Sequence, residues 1–256
     1  MRIAFSCEKG GVGKTALAVC LARSFSEHGH KVLFVDLDVQ KNGTDALSDC
    51  PMICTAKKLF SSAFSFSSLP ESQNILVCGA DLSLADLAQN DIDKFATAGN
   101  ANLATLEKLG VDTVIIDTPP TLGPTLATAL LLSEQVLIPI EVELSSVSGA
   151  VNVAQTVLNL KKAKPDLNLL GVVINRMRKT PRKLKNLEQI KADPGLGARL
   201  IPCMVSDRDS IAESLSEVVP LRQLARKRSA ARKALNEIEA LSAFVMSKDK
   251  AIHSTI

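Results

Sequence analysis

Residues 7–16, CEKGGVGKTA, have the makings of an anion cradle. Gly10, Gly11 and Gly13 let a backbone fold back so that successive N–H groups point into one concavity, which suits phosphate oxygens. A strand-like run, RIAFS (2–6), enters the loop, and a helical pattern leaves it from about Lys14. The helix N-terminus adds partial positive charge at that point. Lys14 is placed to reach the β- and γ-phosphates of a nucleotide, and the Thr15 hydroxyl to ligate Mg²⁺. Two features depart from the pattern G-x-x-x-x-G-K-[ST]. Glu8 stands where the first glycine belongs, and a second lysine, Lys9, precedes the glycines.

Such a loop needs a strand before it, a helix after it and a sheet to fix both. Apolar runs recur at 2–6, 31–36, 74–79, 112–117, 135–140 and 169–175, several of them apolar on successive residues, as in strands covered on both faces. Helical patterns lie between, at 14–28, 91–109, 145–162 and 182–191. The alternation predicts an α/β fold, a mostly parallel twisted sheet flanked by helices on both faces, forming one domain over 1–256. The run TVIID carries Asp117 to the carboxyl end of a strand, where ligands of such sheets bind. A long helix is expected over 221–246, its Leu221, Leu224, Leu235, Ile238, Leu241 and Val245 facing the core, followed by a flexible tail over 247–256. The Ser-rich stretch 59–68 reads as a helix end and loop.

Composition narrows the function classes. The six cysteines include no C-x-x-C pair and no accompanying His cluster, so they are expected to be reduced, mostly buried thiols. The start of the chain does not read as a secretory signal, and apolar runs fall far short of the ~20 residues that span a bilayer. A cytoplasmic protein is expected, with no membrane contact. Net charge is +3, but residues 161–191 hold ten Lys/Arg against two acids, and 222–233 hold six Lys/Arg and no acid. Such blocks suggest a polyanion partner. There is no Trp and no Tyr, so stacking of single-stranded bases has few rings to use, and duplex backbone is the better target.

KGGVGKT with its early lysine matches the deviant Walker A motif K-G-G-x-G-K-[ST], and here the chain resembles the ParA/MinD family of P-loop ATPases. The resemblance extends over nearly the whole chain. VDLDVQKNGT (35–44) is similar to the family's V-D-x-D-P-Q-x-N-x-T with Val39 in place of proline; Gln40 and Asn42 favour the ParA branch. VDTVIIDTPPTLG (111–123) resembles the Walker B strand and the switch after it. The resemblance implies that residues Lys9, Gly10, Gly11, Val12, Gly13, Lys14, Thr15 and Ala16 bind ATP, and that Lys9 crosses to the phosphates of a partner subunit in an ATP-dependent homodimer. It implies that Asp38 positions the attacking water, that Asp36 supports the Mg²⁺ shell and that Asp117 holds Mg²⁺ through a water. Asn175 sits where relatives often contact adenine, and the stretch 201–210 where another base-contacting loop lies, from which Pro202 is taken. The family often has aromatic or Ala-Leu-Glu residues near 145–148, where this chain has Ser145, Ser146, Val147 and Ser148, so an atypical dimer face is implied.

The function implied is a ParA-type, Soj-like ATPase of slow basal turnover, nucleoid-associated, that binds duplex DNA without sequence preference and partitions plasmid or chromosome. A ParB-like centromere-binding protein would stimulate hydrolysis. Relatives carry DNA-contacting basic residues in roughly the regions of Arg178, Lys179, Arg182 and Lys183, then Arg208, Arg226 and Arg228. The chain starts almost at the P-loop, so no N-terminal helix-turn-helix extension or operator-specific autoregulation is expected. Alternatives are a relative that positions a protein cargo along DNA and a MinD-like membrane-associated division-site regulator. The ending FVMSKDKAIHSTI has little apolar bulk for MinD's membrane helix. The cysteine-ligating and tyrosine-phosphorylating members of the family are disfavoured by the cysteine spacing and the missing tyrosines.

Overall fold

The computed structural model describes the chain apart from residues 63, 72, 90, 91 and 254–256; the side chains of 86–89, 144–146 and 250–253 also lie outside the description. In chain order the elements are β1 (Arg2–Phe5), α1 (Lys14–Glu27), β2 (Val32–Asp36), α2 (Asn42–Ala46), β3 (Met52–Thr55), α3 (Ala56–Leu59), β4 (Ile75–Gly79), α4 (Ile92–Lys108), β5 (Thr113–Asp117) and α5 (Pro124–Leu132). They continue with β6 (Gln135–Ile140), α6 (Leu144–Leu160), β7 (Asn168–Met177), α7 (Pro181–Ala192), β8 (Leu200–Ser206), α8 (Asp209–Ser216), α9 (Leu221–Lys227) and α10 (Ser229–His253).

All eight strands are parallel, in the order β3-β4-β2-β5-β1-β6-β7-β8. Alternate strand residues feed two cores. Ile3, Phe5, Phe34, Ile115 and Leu137 face α1, α9 and α10 through Leu17, Leu21, Phe25, Leu221, Ile238 and Leu241. Ala4, Val114, Ile116, Val136 and Ile138 face the other layer, where α4, α5, α6 and α7 supply Leu103, Leu130, Val153 and Leu187. Six of the eight strands are the apolar runs of the sequence. The chain leaves β1 toward β2 on one side, and β6 later pairs with β1 on the other. Neighbouring connections thus diverge at the carboxyl end of β1, which opens the crevice where such sheets bind ligands.

The C-terminal segment differs from the expected single helix. It breaks at Arg228, whose backbone is extended (φ −136°, ψ 129°). The Arg228 N–H bonds the Leu224 carbonyl while its own carbonyl accepts from the Arg232 N–H, so one residue closes α9 and opens α10. Its side chain pairs with Glu213 of α8 at 2.5 Å. Nor does the helix give way to a tail at 247: α10 runs on to His253. Strands β3 and β8 were not legible as strands. They are the two edges of the sheet, with Met52 and Met204 well exposed, and β8 contains Pro202, which an edge strand tolerates. Among the described residues no helix is long and apolar enough to cross a membrane.

Candidate nucleotide site

The loop between β1 and α1 curls as its glycines allow. Gly11 and Gly13 take positive φ, +78° and +84°. At Gly13 a side chain is also sterically barred, because a Cβ there would lie 2.3 Å from Asn175 Nδ2. Asn175, near the end of β7, donates from that nitrogen to the Val12 carbonyl at 2.8 Å. Lys14 opens α1 and is nearly buried. Burial lowers its pKa, and the nearby Asp117 carboxylate is the chief opposing influence.

Strand register brings the acids to this loop. Phe5 pairs with Asp117, and Asp36 pairs with Asp117, so the last residues of β1, β5 and β2 stand level, side by side. Both carboxylates are fully buried, yet their surroundings differ. Asp36 is occupied: one oxygen accepts from the Asp38 N–H (3.1 Å), the other from the N–H and hydroxyl of Thr44 (2.8 Å each). Burial raises its pKa and these bonds oppose the rise. Asp36 therefore braces the 36–44 loop more than it offers a free ligand. Neither oxygen of Asp117 has a hydrogen bond of good geometry. Its pKa is pushed up to about 8, first by burial and then by the Asp36 charge, with the Thr15 hydroxyl and Lys14 only partly offsetting them. A buried carboxyl with two orphaned oxygens beside a threonine hydroxyl fits a hard divalent cation, whose charge would restore the ionised form.

A cleft of ≈ 700 Å³ runs from the loop past these strand ends. Gly10, Gly11, Gly13, Lys14, Thr15, Ala16, Asp38 and Asn175 line it, as does Pro120 of the 118–123 segment. Pro202 does not: it sits inside β8, and the cleft wall from this part of the chain is made by Ser206, Asp207 and Arg208 at the strand's end, with Ile211 and Leu215 of α8. The cleft thus has a polar phosphate end and a mixed wall of apolar and charged groups large enough for a nucleotide. Val12 is buried beneath the loop.

Two departures from the loop pattern are accommodated by α6. Glu8 accepts from Asn152 Nδ2 at 2.6 Å, and Gly149 of α6 lies against the loop, where a Cβ would be in ordinary contact with Glu8. Lys9 Nζ lies 2.6 Å from a Glu143 carboxylate oxygen just before α6. That hydrogen bond and charge hold the Glu143 carboxyl below its usual range. Val39 is exposed, consistent with its replacing a proline at little polar cost. The side chains of Ser145 and Ser146 lie outside the described residues.

The basic residues separate into different settings. Lys179, Arg182 and Arg226 are exposed. Arg178 pairs with Asp207 at 2.5 Å and Lys183 lies 3.9 Å from Glu141. Arg208 lines the cleft and pairs with Glu237 at 2.9 Å. The α7 run and the α9–α10 run belong to opposite layers of the sheet. Sequence reading missed Arg176, which lines the cleft beside the loop. Its φ of +50° is costly for a side chain this size and had no sequence signal, since a glycine or asparagine is the usual flag of that conformation.

An all-parallel α/β sheet with a glycine loop and helix N-terminus at its switch point defines a P-loop nucleotide-binding protein. The AAA domain family AAA_31 matches residues 1–169. Protein IncC of Escherichia coli is 35% identical over 247 residues, which cover 94% of this chain and 67% of IncC. The chain belongs to this family of ParA/IncC-like partition ATPases. Among solved structures, a putative plasmid partition protein of Borrelia burgdorferi bound to AMPPNP has a TM-score of 0.72 at 22% identity, covering 97% of this chain and 99% of that one. The septum site-determining protein MinD of Pyrococcus horikoshii, complexed with Mg-ADP, has a TM-score of 0.69 at 22% identity, with 93% of each chain covered. These two likenesses bear on the fold.

Proposed function

We propose that this chain is a ParA-type partition ATPase, cytoplasmic and nucleoid-associated. It dimerises on ATP, binds duplex DNA without sequence preference and is driven through its cycle by a ParB-like partner. The observation that carries the ATPase reading is Asp117, buried with both oxygens unpartnered, level with Asp36 and beside Lys14 and Thr15.

In this reading the N–H groups of residues 10–15 and the Lys14 ammonium hold the β- and γ-phosphates. Thr15 and Asp117 hold Mg²⁺, which when bound neutralises phosphate charge; Asp36 keeps the adjoining loop in place. Asp38, half-exposed at the cleft wall, orients water. Lys9 leaves Glu143 and supplies a cation to the partner's phosphates, which bury much negative charge when two subunits meet. Hydrolysis then rests on positioning and electrostatics, with no tethered base, which suits slow basal turnover. Asn175 adjoins the base. On the DNA side, Lys179 and Arg182 are the exposed candidates on the α7 face, with Arg226 on the opposite layer; Arg178, Lys183 and Arg228 reach phosphate only by giving up acidic partners.

Binding to a random-sequence duplex, measured with ADP, with ATP and with ATP at raised salt, tests the reading. Wild type is compared with Lys9→Ala and Arg182→Ala/Lys183→Ala. ATP-dependent binding that falls steeply with salt and is lost in both variants is the expected result. No binding with any nucleotide, with ATPase activity intact, would overturn the DNA reading.

A further inference from the structure

We propose that Arg176 is a positioning residue for the phosphate loop, acting on the nucleotide through the Gly11 carbonyl; the inference rests on the nucleotide reading of the cleft. Arg176 Nη1 donates to the Gly11 carbonyl at 2.7 Å, and its neighbour Asn175 donates to the Val12 carbonyl at 2.8 Å. Two successive carbonyls of the loop are therefore held from the β7 side. A trans peptide is planar, with N–H opposed to C=O. Anchoring the Gly11 and Val12 carbonyls thus fixes the opposed N–H groups of Val12 and Gly13. Those are donors that an anion cradle must keep aimed at phosphate. Arg176 sets one of the two anchors and Asn175 the other.

The side chain is itself held for this task. Its backbone is left-handed (φ +50°), a conformation that persists only where surroundings impose it. Glu141, after β6, lies 3.5 Å from Nη1, and Asp207, after β8, lies 3.7 Å from Nε. Lys183 lies 3.9 Å from Glu141 and donates to the Arg176 carbonyl at 3.4 Å, and Arg178 pairs with Asp207 at 2.5 Å. The result is an alternating row of charge across the ends of three strands, with the guanidinium at its centre and its hydrogen bond going to the loop carbonyl. The planar fork presents its donors in a fixed geometry, whereas an ammonium on a flexible stem is a compact, rotatable point charge.

Holding the loop favours ground state and transition state alike, so the effect should fall on binding and KM, and kcat should stay near wild type. The variants are Arg176→Gly, which relieves the left-handed strain and removes the anchor, and Arg176→Lys, which keeps the charge but replaces the fixed fork by a rotatable ammonium. Fluorescent ATP and ADP analogues give Kd, steady-state turnover gives KM and kcat, and melting without nucleotide gives stability. Arg176→Gly is expected to melt no lower than wild type yet bind both nucleotides about tenfold to hundredfold more weakly. Its KM should rise in parallel, with kcat kept within about threefold and Arg176→Lys falling between. Affinity of Arg176→Gly within about twofold of wild type would overturn the inference. So would a fall in kcat with Kd unchanged, which would place Arg176 on the reacting phosphate. A wild type that binds neither nucleotide would overturn the nucleotide reading itself, and the inference with it.

Discussion

Replacing Asp117 by asparagine removes a charge that burial opposes. In the folded chain the carboxyl is pushed up to about 8, against an ordinary 3.8. Between these values the native state keeps a proton that the unfolded state has released, so stability falls as pH rises through the window. By pH 7 about three pH units of that window have been crossed, an upper bound of ~4 kcal/mol. The asparagine amide, short of partners in its turn, gives back roughly 1–2 kcal/mol. Asp117→Asn without nucleotide should therefore gain about 2 kcal/mol, or on the order of 5 °C in Tm. The sharper signature is its pH dependence: the variant's advantage should grow by about 2 kcal/mol between pH 6 and pH 8. Urea titrations at both pH values measure it. An equal advantage at the two pH values, or a variant less stable at both, would refute the claim that Asp117 is an uncompensated buried acid. Mg²⁺ with ATP should reverse the order, stabilising wild type and leaving Asp117→Asn nearly unchanged.

Gly13→Ala must hold a methyl at φ +84° within reach of Asn175 Nδ2; a loss of roughly 1–3 kcal/mol and at least about tenfold weaker ATP binding are expected, by melting and calorimetry. Glu143→Gln breaks a largely exposed ion pair, so stability should move by less than about 1 kcal/mol. If Lys9 serves a partner subunit, the same variant should dimerise at lower ATP, read by light scattering; a need for more ATP would count against that role. Burial pushes the Cys20 thiol up to about 12, and burial with Asp49 pushes Cys50 to about 11. Alkylation at pH 8 should leave buried Cys20 unmodified in the native protein while labelling it in urea, with the half-buried, high-pKa Cys50 reacting slowly; rapid native labelling of Cys20 would contradict its burial.

The buried strands and long helices were legible because parallel sheets make continuous apolar runs and surface helices make periodic ones. The P-loop was legible because only glycines supply its backbone angles at 11 and 13. What stayed hidden was set by tertiary context. β3 and β8 are half-exposed edges with mixed sequences, and a proline in β8 argues against a strand until its edge position is known. The break at Arg228 carries no Gly or Pro; it is fixed by backbone bonds to Leu224 and Arg232 and by Glu213. Arg176 and Arg208 looked like members of a basic surface; the left-handed backbone of Arg176 near the end of β7 and the position of Arg208 just after β8 bring them to the cleft. Pro202 lies inside β8 and outside the cleft, whose lining from this part of the chain begins at Ser206.

The level ending of β1, β5 and β2 has a consequence for how the protein tolerates change. Side chains alternate faces along a strand, so losing or gaining one residue within Thr113–Ile116 would not shift Asp117 slightly; it would turn the carboxylate to the opposite layer and bring an apolar side chain to the site. The same holds for β2 and Asp36. Length changes in these strands are therefore all-or-none, whereas substitutions among their valines and isoleucines are graded. Lineages of this fold should vary in loop length freely and keep the residue count of these strands fixed.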